Sequence, residues 1–279
     1  MISVIICSRK KNIPKQLAQN IDRTIGIKYE LIIIDNSENR YSIFEAYNIG
    51  IKRSNGDILC FIHDDVFFHT QNWGQTLELE FQKNTDFSLI GVAGAKVKTQ
   101  FPTGWWDCEN QYKVINIIQH EYADVIKEYH GFKNENLTEV VAIDGVFMAL
   151  KSNESIAFDS TLKGFHNYDL NLSCEVNSIK KKIGVTNSIL IEHFSIGVLD
   201  KSWFASTLLF HKKHYKKLNE NKFSINDEIF AGKKYIDNYL RIFGKKKANR
   251  CFFLILRFSS SLNTFVILQK YFFRKLLQK

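Results

Sequence analysis

Apolar residues fall in short, unbroken runs through the first half of the chain, and the stretches between the runs carry apolar positions at helical spacing. Ile2–Cys7 is one run, Glu30–Asp35 a second, Asp57–His63 a third and Ser88–Ala95 a fourth. Pro14–Thr24, Tyr41–Arg53 and Trp73–Gln82 lie between them with one apolar face each. Runs without alternation mark strands buried on both faces, and helices of this length are the crossovers that parallel strands require. The pattern predicts a βαβαβ order: an α/β domain with a Rossmann-like, mostly parallel central sheet and helices on both faces. Ligands of such sheets gather beyond the carboxyl ends of the strands. Here those ends read Ser8-Arg9, Asp35-Asn36-Ser37 and His63-Asp64-Asp65.

The pattern then changes. From Lys96 to Glu139 periodicity is lost around Gly104-Trp105-Trp106, and a segment that long predicts a functional loop or lid. A strand pair follows over Val140–Leu150, a turn region over Phe158–His166, a helix from Asn167 to about Lys181, and a strand ending in Glu192-His193. Helical patterning holds from Lys201 to the end. These changes divide the chain into a domain over 1–200 and a helical extension over 201–279.

Composition alters this picture in two respects. With 45% apolar residues, 23 Phe and 11 Tyr in 279, a sizeable core is available and wholesale disorder is excluded. The five cysteines (Cys7, Cys60, Cys108, Cys174 and Cys251) are scattered and odd in number, which predicts neither a disulfide framework nor a zinc knuckle. Because the chain opens directly on a strand without a leader-like segment, a cytoplasmic compartment is expected. The net charge of +9 is unevenly placed. Residues 1–210 carry 21 Lys/Arg against 25 Asp/Glu, whereas residues 211–279 carry 17 against 4. An acidic body with a basic tail argues against a nucleic-acid enzyme, whose cations would surround its cleft.

Several polar groups at predicted element ends carry candidate chemistry. Asp64 and Asp65 after an apolar strand, with His63 beside them, offer hard ligands for Mn²⁺ or Mg²⁺; equally, they would cap the next segment or face solvent. Asp35 can accept hydrogen bonds from a nucleobase or ribose, or serve as an N-cap for the following helix. Asp169 opens a helix, where a carboxylate acts as a general base or simply complements the helix dipole. His193 ends a strand, as a metal ligand or as a structural imidazole. Trp105 and Trp106 would make a stacking platform for a sugar ring, or pack in the core.

In order, these pieces resemble the family 2 glycosyltransferases of the GT-A fold, in the bacterial branch whose metal motif reads His-x-Asp. The resemblance rests on Ser3-Val4-Ile5-Ile6-Cys7-Ser8-Arg9, Ile33-Ile34-Asp35-Asn36-Ser37, Ala46-Tyr47-Asn48-Ile49-Gly50, Phe61-Ile62-His63-Asp64-Asp65-Val66, Asp144-Gly145-Val146-Phe147, Gly164-Phe165-His166-Asn167-Tyr168-Asp169 and Glu192-His193-Phe194-Ser195. It spans roughly residues 1–200. It implies that Arg9, Asp35 and Asn48 line the nucleotide pocket. His63 takes the first motif position, touching ribose or leaning to the metal, with Asp64 sharing that task. Asp65 is the metal-binding position, His193 a further metal or diphosphate contact, and Asp169 the catalytic base. Trp105, Trp106, Asp144, Gly145 and His166 would border the acceptor. The implied reaction is metal-dependent, inverting transfer from a nucleotide sugar, most simply a UDP-sugar, to a hydroxyl of a glycan or lipid-linked acceptor in surface polysaccharide synthesis.

The tail interleaves cations with aromatics: Lys245-Lys246-Lys247, Cys251-Phe252-Phe253-Leu254-Ile255-Leu256-Arg257-Phe258 and Tyr271-Phe272-Phe273-Arg274-Lys275. Its apolar runs are too short to span a bilayer, and the mixture predicts attachment to an anionic membrane surface, at the inner face of the plasma membrane; packing on the body with solvated lysines is the other reading. A non-catalytic sugar-nucleotide or glycan-binding protein on the same fold is the rival to an enzyme, and retention of Asp65, Asp169 and His193 opposes it. A nucleotidyltransferase would carry a glycine-rich phosphate loop near its first strand; none is present there.

Overall fold

The first apolar runs form the strands that their pattern predicts. In the computed structural model, which describes residues 1–154, 156–219 and 222–278, β1 (Ile2–Ser8) lies between β2 (Tyr29–Asp35) and β3 (Ile58–Ile62), parallel to both. The crossovers are α1 (Lys15–Thr24) and α2 (Ile43–Arg53). A capping box starts α2: Ser42 accepts the Glu45 N–H, and the Glu45 carboxylate accepts the Ser42 N–H at 2.9 Å. The helix therefore needs no cap from Asp35, and that reading of Asp35 falls away.

Beyond β3 the chain continues through β4 (Val66–Phe68), α3 (Trp73–Lys83), β5 (Phe87–Gly91), β6 (Ala93–Ala95), β7 (Lys113–Glu121), β8 (Asp124–His130), β9 (Leu137–Val140), β10 (Ala142–Ile143) and β11 (Phe147–Lys151). Then come α4 (Tyr168–Ser178), β12 (Lys182–Thr186) and β13 (Ile191–His193). A seven-stranded sheet has the order β2-β1-β3-β11-β5-β12-β9, and a second sheet has the order β10-β6-β7-β13-β4 with β8 on β7. Between β3 and β5 the parallel order is interrupted by β11, which is antiparallel to both. The run Ser88–Ala95 breaks at Val92 into strands of different sheets. The segment expected as a loop or lid holds the β7–β8 hairpin and β9 instead. β8 shows no alternation in the sequence because it is an edge strand with both of its faces exposed.

Contacts divide the chain into two compact units, residues Met1–Lys96 with Lys113–Gly197, and residues Val97–Tyr112 with Val198–Lys279. Both sheets belong to the first. Phe68 stacks on Trp73 at 4.4 Å between ring centroids, with Phe147 edge-on to each, and this cluster ties α3 to the two sheets. In the second unit α5 (Lys201–Asn219), α6 (Ile225–Phe243), α7 (Ala248–Phe258) and α8 (Leu262–Leu277) share a core with residues 97–112 that includes Phe101, Trp203, Tyr235, Phe258 and Phe272. Within it Glu228, fully buried, accepts hydrogen bonds from Gln100 Nε2 (2.8 Å), the Ser260 N–H (2.6 Å), the Ser260 hydroxyl and the Thr264 hydroxyl (3.1 Å). These donors offset the desolvation of the carboxylate.

Candidate active site

The parallel strands β2, β1 and β3 end side by side, and their registers place the polar residues that follow along one edge. Ser8 lies opposite Asp35, and the Ser8 hydroxyl donates to Asp64 Oδ2 at 2.8 Å. From the second sheet, β13 pairs His193 with Val66 on β4 and with Gln119 on β7. His193 thus arrives next to the residue that follows Asp65. Its Nε2 lies 3.5 Å from Asp65 Oδ1 and 3.1 Å from His63 Nδ1, and His63 Nδ1 is 3.8 Å from Asp65 Oδ1. One ligand atom from each of His63, Asp65 and His193 falls within 4.8 Å of the others, and this is the one such cluster among the described residues.

The hydrogen bonds around the cluster fix which imidazole nitrogens face it. Gln119 Nε2 donates to the carbonyls of His120 (3.0 Å) and Ser195 (2.6 Å), so its Oε1 is turned to His193 Nδ1 at 3.0 Å. Nδ1 of His193 therefore donates to Gln119, and Nε2 faces Asp65 and His63, donating to the Asp65 carboxylate when it carries a proton and offering a lone pair to a cation when it does not. On the other side, His63 Nε2 meets the Tyr168 hydroxyl at 2.5 Å, which leaves Nδ1 for the cluster. Tyr168 is held by Tyr47, with ring centroids 5.6 Å apart, and Tyr47 packs in turn on Phe61 and Phe158. Gly145 makes room for the phenol: a Cβ there would stand 2.2 Å from Tyr168 Oη. Such partners orient ligands without touching the ion.

Two imidazoles and a carboxylate are a donor set that a divalent metal ion accepts. The electrostatics agree. Desolvation alone would raise Asp65, but hydrogen bonds from His193 and Ser195 and the nearby imidazoles outweigh it and hold its carboxyl below the usual range. Burial, with His193 beside it, lowers His63. Both groups thus rest in the forms that bind a cation.

Asp169 follows Tyr168 in the first turn of α4, half-buried, with Oδ1 accepting the Leu170 N–H at 2.8 Å. Desolvation and then the charge of Asp144 raise it to about 7. Asp144 precedes β11 and accepts the Val146 N–H at 2.8 Å. The residue before Asp169, Tyr168, bonds His63, and a carboxylate poised near neutrality has the ionisation that a general base needs.

The other expected residues have varied surroundings. Arg9 is exposed just after β1, and Asp35 is exposed at the end of β2, where Oδ1 accepts from the Ser37 hydroxyl (2.7 Å) and N–H (3.0 Å). The Asn48 amide is engaged at both ends by the Phe158 backbone, at 2.8 and 2.9 Å, and so pins the chain before α4 to α2. His166 is half-buried in the turn before α4. Trp105 and Trp106 belong to the second unit, where Trp105 is buried and Trp106 lies over Gly104 and 6.1 Å from Trp203. Packing accounts for Trp105, and Trp106 stays half-buried. Tyr168 and Ser195 stand in the motifs quoted above without a role assigned to them, signalled by their nearness to Asp169 and His193, and Gln119 escaped the sequence reading.

A model described as a glycosyltransferase-like family matches residues 3–228. The chain belongs to that family. This glycosyltransferase also shares its fold with solved structures of TarS from S. aureus. TarS 1–349 in complex with UDP-GlcNAc superposes with a TM-score of 0.59 at 8% identity, covering 99% of this chain and 89% of that one. TarS 1–349 with UDP gives 0.54 at 10% identity, over 99% and 82%. A longer TarS chain gives 0.58 at 9% identity, and this glycosyltransferase spans about half of its length, 53%. At such identities the likeness establishes the GT-A fold. No curated protein matches the sequence.

Proposed function

We propose that this glycosyltransferase is a metal-dependent, inverting enzyme that moves a sugar from a UDP-sugar to a hydroxyl of a glycan or lipid-linked acceptor, in the synthesis of a surface polysaccharide. The observation that carries the reading is the convergence of His63, Asp65 and His193, with Asp169, next in the chain to the Tyr168 that bonds His63, raised to about 7. UDP is favoured as the nucleotide because TarS, with which the fold is shared, was solved with UDP-GlcNAc.

His63, Asp65 and His193 would hold Mn²⁺, with Gln119 and Tyr168 fixing the rings. An ion held there would supply positive charge to a leaving diphosphate. Arg9 adds a cation at the end of β1, and Asp35, kept ionised by its bonds from Ser37, accepts from base or ribose. Asp64, oriented by Ser8, faces the same edge. Asp144, Gly145 and His166 border the acceptor, and Asp169 takes the proton from its hydroxyl. The acceptor oxygen then bonds to the anomeric carbon as the bond from that carbon to the phosphate oxygen breaks on the opposite side, so the configuration inverts.

The test is turnover of a panel of UDP-, GDP- and dTDP-sugars with Mn²⁺ or with EDTA. The reading predicts release of one nucleotide, stopped by EDTA and lowered at least roughly 100-fold in Asp65→Ala, and a product whose anomeric configuration, read by NMR, is opposite to the donor's. A purified protein that neither turns over nor binds any sugar nucleotide in the presence of Mn²⁺ would be a binding module or less, and the proposal would fail.

A further inference from the structure

α7 and α8 each bury one face in the core of the second unit, through Cys251, Leu254, Ile255 and Phe258 on α7 and Leu268 and Phe272 on α8. The opposite face of a helix packed in this way is ordinarily polar. Here it is not. Phe253 is 67% exposed, Leu256 50%, Leu262 76%, Phe273 48% and Leu277 84%. On α8 the exposed Leu262, Lys270, Phe273 and Leu277 recur at multiples of the helical repeat and share one stripe. The half-buried Phe252 joins the two helices, 5.6 Å from Phe265 and 6.0 Å from Phe273, so the apolar surface is continuous between them. Arg250, Arg257, Lys270 and Arg274 are exposed on the same helices. After Asp237 the sequence holds no acidic residue to its end, against ten Lys and Arg.

We propose that this α7–α8 face docks on an anionic lipid bilayer, with Phe253, Phe273, Leu262 and Leu277 entering the headgroup–acyl boundary and the flanking Arg and Lys pairing with phosphates. Charge decides the occupant. A second copy meeting the first through this same face would bring like-charged positions together with no acidic residue to receive them. A nucleic acid would satisfy the cations but leave Leu262 and Leu277 in water. An anionic bilayer satisfies both, since basic side chains reach its phosphates while the apolar groups between them leave water. The attachment is peripheral, because no helix among the described residues is long and apolar enough to cross a membrane. The inference is independent of the catalytic reading, since none of these residues belongs to the site.

Flotation of the full chain with vesicles tests it, using phosphatidylcholine alone and phosphatidylcholine with about 30% phosphatidylglycerol, in about 0.1 M and about 0.5 M salt. The expected result is binding to the anionic vesicles only, weakened by salt, and lowered roughly tenfold or more both by Phe253→Ser with Phe273→Ser and by Arg250→Glu with Arg257→Glu. Circular dichroism checks that each variant folds. Should either pair fail, Leu262→Ser with Leu277→Ser, at the two ends of α8, reads the same surface. Absence of binding, equal binding to neutral and anionic vesicles, or full binding by folded variants overturns the proposal. So does a dimer in sedimentation that dissociates on Phe253→Ser, or an RNA shift lost with the arginines from a protein that ignores lipid.

Discussion

Asp169 is the residue whose ionisation most constrains the chemistry. Raised to about 7 by burial and by Asp144, it is a base only when ionised, so turnover should be low in acid, climb as the pH rises through about 7 and level off above it. The sign for stability is the reverse. The folded chain holds this proton more tightly than the unfolded one, whose carboxyl titrates near about 4, so the penalty builds between about 4 and about 7 and is complete above that. Asp169→Asn should therefore melt at a higher temperature than the native protein at pH 8 while losing roughly 100- to 10,000-fold in turnover; thermal scans at pH 5 and pH 8 with a rate assay check both. Tyr168→Phe keeps the ring against Tyr47 but removes the hydroxyl from His63. It should weaken Mn²⁺ binding roughly 10- to 100-fold with little change in melting temperature, read by calorimetric titration of the metal. His63, Asp65 and Asp169 were legible in the sequence because each sits at an element end that the hydrophobic pattern defines. Gln119 was not. It reaches His193 only through the β7–β13 register, between residues 74 apart in the chain.

At the scale of elements, the strands that could be read were those with a continuous apolar run, buried in β1 and β3 and half-buried in the edge strand β2. β1, β2 and β3 announce themselves as apolar runs, whereas β8, exposed on both sides, takes its form from its hairpin partner β7, and the two-residue β10 from β6, distant in sequence. The same logic applies to residues 97–112, whose polar Gln100 looks like loop until Glu228 is seen accepting its amide. Glu228 ties this segment to α6 and to the α7–α8 turn. Glu228→Ala leaves the Gln100, Ser260 and Thr264 donors buried without their acceptor and should cost about 3 kcal/mol or more of stability. Denaturant titration measures that, and a loss under about 1 kcal/mol would mean that the bonds are replaced by water.

For the whole molecule, the charge asymmetry of the sequence is realised in the fold. The acidic part contains the sheets and the candidate site, and the basic residues concentrate on the helices of the second unit. The hydrophobic pattern revealed the α/β class and the helical tail. It did not reveal that residues 97–112 pack with that tail, because a segment's allegiance to a distant unit depends on side chains such as Phe101 finding partners more than a hundred residues later. The GT-A frame then explains why a His, an Asp and a second His meet at one edge: His63 follows β3, the turn to β4 carries Asp65, and β13, which ends in His193, lies against β4. The most direct test of that meeting is a Mn²⁺ titration followed by electron paramagnetic resonance with UDP present, comparing the native protein with Asp65→Ala and His193→Ala. One bound ion per chain in the native protein, lost in both variants while their folds persist, is the predicted result; binding that is equal in all three would show that the ion lies elsewhere or that none is used.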